Sequence, residues 1–158
     1  MEVSFVVKKD TGIDLTVLFR ALTMANEKNA EMVKEFLTGK MQEAKQGYNY
    51  GYMKDAVNNP YIASAPGEYP GIHRGDLLGS MFVGETEIED GVVKTRLEST
   101  APHAFDLEGM DEDYNIVETD PEKGVRRWMT KALEEPDIVS QAQQNINLAL
   151  EQVREEWR

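Results

Sequence analysis

The chain has 158 residues, 17 basic and 29 acidic side chains, a formal charge of −12 and 41% hydrophobic residues. That apolar content suits one modest core and a single domain over 1–158, and the acidic excess argues against a protein whose main task is gripping phosphates. The absence of cysteine excludes disulfides, thiolate zinc sites and a cysteine nucleophile, and fits a reducing compartment.

No run of 18 apolar residues occurs, and residues 1–10 lack the charged start and apolar block of a signal peptide. Neither membrane spanning nor secretion is expected. The run SFVVKK from Ser4 reads as a short strand, because Phe5, Val6 and Val7 favour extended backbone and Asp10 to Gly12 mark a turn. A long helix follows. Leu15, Leu18, Phe19, Leu22, Ala25, Val33, Phe36, Leu37 and Met41 recur mostly every three or four residues, and the stripe ends near Gln46 and Gly47. About 30 residues would extend roughly 45 Å.

Tyr48, Tyr50, Tyr52 and Tyr61 lie in a stretch rich in Asn and Gly, which reads as a loop with aromatic anchors. These rings either mark an interface or tuck under the loop. From Ala65 to Gly75 the chain is punctuated by Pro66, Gly67, Pro70, Gly71 and Gly75, so an ordered extended arm over about 60–75 is predicted rather than a helix. Asp76 can cap a helix of two or three turns carrying Leu77, Leu78 and Met81.

The runs MFVGETEIE and VVKTRLEST are β-rich and separated by Glu89, Asp90 and Gly91, where Asp-Gly signals a hairpin. Val93, Thr95 and Leu97 alternate with Lys94, Arg96 and Glu98, which predicts one buried and one wet face, with the long helix as cover. The acidic segment from Ala101 to Gly124 lacks periodicity and reads as a surface excursion. Asp120, Pro121 and Glu122 then resemble a helix start, followed by a stripe of Val125, Trp128, Met129, Ala132 and Leu133. After a break at Pro136, a second stripe of Ile138, Ala142, Ile146, Ala149, Leu150, Val153 and Trp157 makes a terminal helix, serving as core or as a docking face. The predicted fold is α+β, with a small, mainly antiparallel sheet packed by the long N-terminal helix and the C-terminal helix.

Chemistry is sparsely signalled. Lys123, Arg126, Arg127 and Lys131 with Trp128 form the nearest approach to a basic cluster, and they read as a solvated or partner-facing helix surface. His103, Asp106 and Glu108 can be drawn as a metal or acid/base cluster for a metal-dependent hydrolase, but their spacing matches no ligand motif such as His-Glu-x-x-His, and Pro102 and Gly109 explain a shaped loop. No Gly-x-Ser-x-Gly and no phosphate-cradling loop occurs, so no enzyme, cofactor or metal is expected. The triplet Arg74-Gly75-Asp76 is too short to read as an adhesion motif.

The run Ala65-Pro66, Arg74-Gly75-Asp76-Leu77 and Ser80-Met81, then a hairpin, then Ala101-Pro102-His103-Ala104, Leu107-Glu108-Gly109, and Ala132-Leu133 in a terminal helix resembles the neck or head–tail joining family of long-tailed double-stranded DNA phages, often labelled minor tail component. In that family a proline-rich arm leads to a Thr-Gly-x-Leu-x-x-Ser helix start, followed by a hairpin, an aromatic-Ala and Glu-x-Gly segment, and an Arg-Pro-Phe motif opening the last helix. The order is kept over about Ala65 to Trp157. Arg74 stands where Thr is usual, His103 where Tyr is usual, and Arg126-Arg127-Trp128 where Arg-Pro-Phe is usual.

The resemblance implies a structural virion protein of the neck or tail, made in the host cytoplasm. It would form a homo-oligomeric ring of six or twelve copies between the portal region and the tail, contacting neighbouring connector, portal-adaptor and tail proteins. DNA would pass through the lumen as non-specific cargo. Six copies at −12 each would carry −72, and acidic walls repel a polyanion, although the same charge also serves solubility. Tyr48, Tyr50, Tyr52, Tyr61, Pro66, Tyr69, Pro70, Arg74 and Trp128 are the expected interface residues; the arm and the Tyr48 to Tyr61 loop among them combine aromatic or proline anchors with little regular structure of their own. A tail-terminator ring capping the tail tube and a monomeric protein-binding adaptor are the alternatives.

Overall fold

The computed structural model describes residues 2–6, 15–44, 64, 68–70, 76–101, 103–109, 118–119 and 127–156. Strand β1 covers Glu2–Val6, helix α1 Leu15–Glu43, α2 Asp76–Ser80, β2 Met81–Glu89, β3 Val92–Ser99, α3 Ala104–Glu108, α4 Trp128–Glu134 and α5 Pro136–Glu156. The α+β class read from the sequence holds. The chain divides into two compact units: residues 1–34, 82–98 and 133–158 form the first, and residues 35–81 and 99–132 the second. Among the described residues no helix is long and apolar enough to cross a membrane.

In the first unit the sheet has the order β1-β3-β2, with β1 antiparallel to β3 from Glu2↔Arg96 to Val6↔Val92. The β2–β3 hairpin closes through Asp90 and Gly91 at φ values of 51° and 79°. Two successive positive φ values define a type I′ turn, whose twist matches the flanking strands, and Asp-Gly is among the pairs that adopt it most readily. Val93, Thr95 and Leu97 are buried. Their alternates carry the wet-face ion pairs Lys94–Glu89 at 3.7 Å and Arg96–Glu87 at 3.2 Å. Strand β1 starts at Glu2, two residues before the predicted strand.

Residues 15–34 of α1 cover the buried sheet face. Leu18 and Leu22 pack on Val93, with Phe19 and Ile146 at the margin. Asn26 Nδ2 donates to the Val93 carbonyl at 2.9 Å, pinning helix to strand. Helix α5 joins α1 through Ala21, Ala25, Ala149 and Val153. Its stripe is mainly core: Ile138, Ala149 and Val153 are buried, while Leu150 is exposed; Trp157 lies outside the described residues. Pro136 opens α5 as predicted, with Glu135 alone between it and the end of α4, at the position where a missing N–H costs nothing.

The second unit holds Leu37 and Met41 of α1, Leu77, Met81, Ala101, Ala104, Trp128 and Ala132 in its interior. Two predictions are corrected here. Helix α2 has five residues rather than two or three turns, because Met81 already belongs to β2 and Ser80 Oγ donates back to the Leu77 carbonyl at 2.7 Å, ending the helix. The acidic excursion contains α3, closed by Gly109 at φ 76° with its N–H on the Asp106 carbonyl. Helix α4 opens at Trp128, directly after Arg127, whose φ of 46° lies in the left-handed region and interrupts a right-handed helix; the helix start read at Asp120, Pro121 and Glu122 falls outside the described residues.

Candidate functional site

Two arrangements in the second unit hold the residues that the sequence singled out. The first anchors the arm. Pro70 is buried and Tyr69 half-buried. The Tyr69 ring meets Phe36 of α1 edge-on, with centroids 6.0 Å apart and planes at 80°. Lys131 Nζ of α4 stands 5.2 Å from the Tyr69 centroid, and Lys40 Nζ 5.3 Å from that of Phe36. Phe36 and Lys40 are four residues apart, on one helix face. An edge-to-face pair contributes about 0.5–1.5 kcal/mol, and each cation over a ring adds about 0.5–1 kcal/mol where water reaches it. Among the described residues of the arm, Tyr69 is thus seated against side chains of α1 and α4, and Pro70 is buried.

The second arrangement is a polar staple. Glu108, the last residue of α3, is 5% exposed. Its Oε2 accepts the Met129 N–H at 2.9 Å, and its Oε1 accepts the Thr130 N–H at 3.0 Å and the Thr130 hydroxyl. The first turn of a helix has N–H groups without intrahelical partners and a positive dipole end, and a carboxylate satisfies both. The Arg127 N–H donates to the Leu107 carbonyl at 3.0 Å, and the Glu118 N–H to the Gly109 carbonyl at 3.2 Å. Around the hairpin base, Ser80 Oγ lies 2.7 Å from Ser99 Oγ, and the Thr100 N–H donates to the Ser80 carbonyl. Hydrogen bonds thus tie α3 to the start of α4 and, in a second set, Ser80 to the end of β3.

The structure does not bring the residues of the drawn metal or acid/base cluster to one surface. Glu108 faces α4 with three donors on its carboxylate, while His103 and Asp106 are exposed. Among the described residues no group of three or more His, Asp or Glu could hold a metal ion. Of the expected interface residues, Tyr48, Tyr50, Tyr52, Tyr61, Pro66 and Arg74 lie outside the described residues. Tyr69 and Pro70 are brought together with Lys131. Trp128 is 0% exposed, so it offers no surface of its own and acts on an interface only through what it positions. Of the basic cluster, Lys131 covers Tyr69 and Arg127 is half-buried just before α4, while Lys123 and Arg126 lie outside the described residues.

Sequence reasoning missed Phe36, Lys40 and Lys131 as the seat of the arm. The i,i+4 spacing of Phe36 and Lys40 was visible, but nothing local says that a tyrosine 33 residues away completes the stack. Glu108 as a cap had no local signal either, because its donors lie 21 and 22 residues downstream. Searches against protein-family models, curated proteins and solved structures found no match for this chain.

Proposed function

We propose that the chain is a ring-forming structural protein of the head–tail joint of a long-tailed double-stranded DNA phage, with DNA passing through the ring. The observation that carries this reading is the order of motifs from Ala65 to Leu133, together with the work their residues do in the fold. Leu77 is buried, Ser80 joins α2 to the hairpin base, Glu108 staples α4, Gly109 takes the positive φ that ends α3, and Ala132 is 0% exposed. These described positions among the matched ones are points on which the local structure turns.

The remaining features agree with a connector. An arm that seats an aromatic ring on a helix surface is a feature that a neighbour's surface could also receive, and a charge of −12 per copy keeps DNA from adhering to the walls. One departure concerns backbone as well as side chain. Arg127 stands where the family carries proline, and its φ of 46° is one that proline cannot adopt. Ala132 and Leu133 moreover lie in α4 rather than in the terminal helix α5, and α4 opens with Glu108 doing the capping.

Electron microscopy of the purified chain at high concentration tests the proposal. Closed rings with a central hole wide enough for duplex DNA are expected. Deleting residues 66–75 should abolish them while the far-ultraviolet circular dichroism stays helical, and rings that survive the deletion would remove the arm from the assembly mechanism.

A further inference from the structure

Helices α1 and α5 meet along two rows of residues spaced by four. On α1 the row is Val17, Ala21, Ala25 and Asn29; on α5 it is Asn145, Ala149 and Val153. Ala21, Ala25, Ala149 and Val153 share one buried cluster with Val17 packed against it, and Asn145 Nδ2 donates to Asn29 Oδ1 at 2.8 Å. The alanines and Val153 lie on the N-terminal side of Asn29 and the C-terminal side of Asn145, so the rows run antiparallel.

Rows at four-residue intervals are the natural ridges of an α-helix, and these are unusually smooth. Sliding α5 by one turn, about 5.4 Å, still sets Val153 opposite Val17 one way or Ala25 the other, so this row alone discriminates weakly between registers, while Ile146, packed on the Leu18, Leu22 and Val93 cluster, gives way to Ala142 or Leu150. The amide pair discriminates strongly. Shifted one way, Asn145 faces Ala25 and Asn29 faces Gln141; shifted the other way, Asn145 faces Val33 and Asn29 faces Ala149. Asn29 is 0% and Asn145 4% exposed, so an amide opposite an aliphatic side chain finds no water to replace its bond. Asn29 Nδ2 and Asn145 Oδ1 have no hydrogen-bond partner even in the native register. A pair that leaves half its capacity unused contributes little net stability, and setting alignment is the best-attested use of buried polar groups of this kind.

We propose that the Asn29–Asn145 pair is the register key of the terminal helix: it selects one alignment of α5 on α1 from several that this apolar row would accept. Because the chain has no cysteine, spin labels can be placed solely at Glu31→Cys and Glu155→Cys, both exposed positions on these helices, and their separation read by pulsed electron resonance on the full chain. With both asparagines present, one distance population is expected. In the N29L/N145L background a second population displaced by about 5 Å, one helical turn, should appear, the preference between registers falling by about ten- to a hundredfold with loss of the buried amide bond. N29A/N145A, which cannot overpack the gap, should show the same second population. The singles N29L and N145L should each lower the unfolding midpoint, since each leaves the other amide alone in the interior. A single unchanged distance in both double variants, or two populations in the native background, would overturn the proposal, as would single variants with unaltered midpoints.

Discussion

Replacing Glu108 with alanine removes the acceptor of two α4 backbone N–H groups and of the Thr130 hydroxyl at a site that is 5% exposed. Loss of a helix cap alone costs about 0.5–2 kcal/mol, and hydrogen bonds to a charged group contribute about 1.5–3 kcal/mol each. These losses overlap, because all three donors share one carboxylate and water can enter once it is gone, so a total of about 2–4 kcal/mol is expected. For a chain of this size each kcal/mol lowers Tm by about 2–4 °C, which puts the drop at roughly 5–15 °C. Glu108→Gln, which keeps one carbonyl acceptor but turns an NH2 group toward donors, should fall between the two. Urea unfolding followed by circular dichroism gives the free energies, and Asp106→Asn, on the exposed side of α3, serves as the unchanged control. A loss below about 0.5 kcal/mol for Glu108→Ala, the usual scatter of surface substitutions, would show that the staple carries no weight.

Tyr69→Ala removes the contacts with Phe36 and Lys131, worth together about 1–2 kcal/mol; protease cleavage within residues 65–75 should accelerate about tenfold, and an unchanged rate would mean that something else holds the arm. Gly91→Ala, at φ 79° in the hairpin turn, should destabilise by about 1–2 kcal/mol in a thermal melt. Gly39 lies within α1, and a Cβ built there meets nothing within 4 Å; Gly39→Ala should therefore raise stability by about 0.5–1 kcal/mol, and a loss would mean that the position is occupied in the assembled protein.

Local patterns in the sequence determined the parts of this fold that depend on local physics. The three- and four-residue spacing from Leu15 to Met41 predicts a helix that runs Leu15–Glu43, and the alternation of Val93, Thr95 and Leu97 with charged residues predicts the buried face of β3. Asp90-Gly91 predicts a turn whose two positive φ values follow from side-chain and backbone sterics. Features that depend on a distant partner were not legible. Asn26, Asn29 and Asn145 interrupt the apolar stripes and look like surface positions, yet all three are buried because each finds an amide or carbonyl on another element. Glu108 resembles a loop carboxylate until α4 arrives beside it. The arm's proline and glycine pattern indicates extended chain but says nothing of Phe36. Trp128 illustrates the reverse error: an aromatic within a basic run suggests a partner surface, and tertiary packing puts it in the core.

Assembly is the claim on which the functional reading rests. The most direct test is molar mass by light scattering after size exclusion, across a concentration series that includes assembly-promoting salt. The account predicts a discrete closed oligomer, of six or twelve copies, that disappears in the 66–75 deletion. A monomer of 17.9 kDa at every concentration and salt would contradict it and favour a single-partner adaptor.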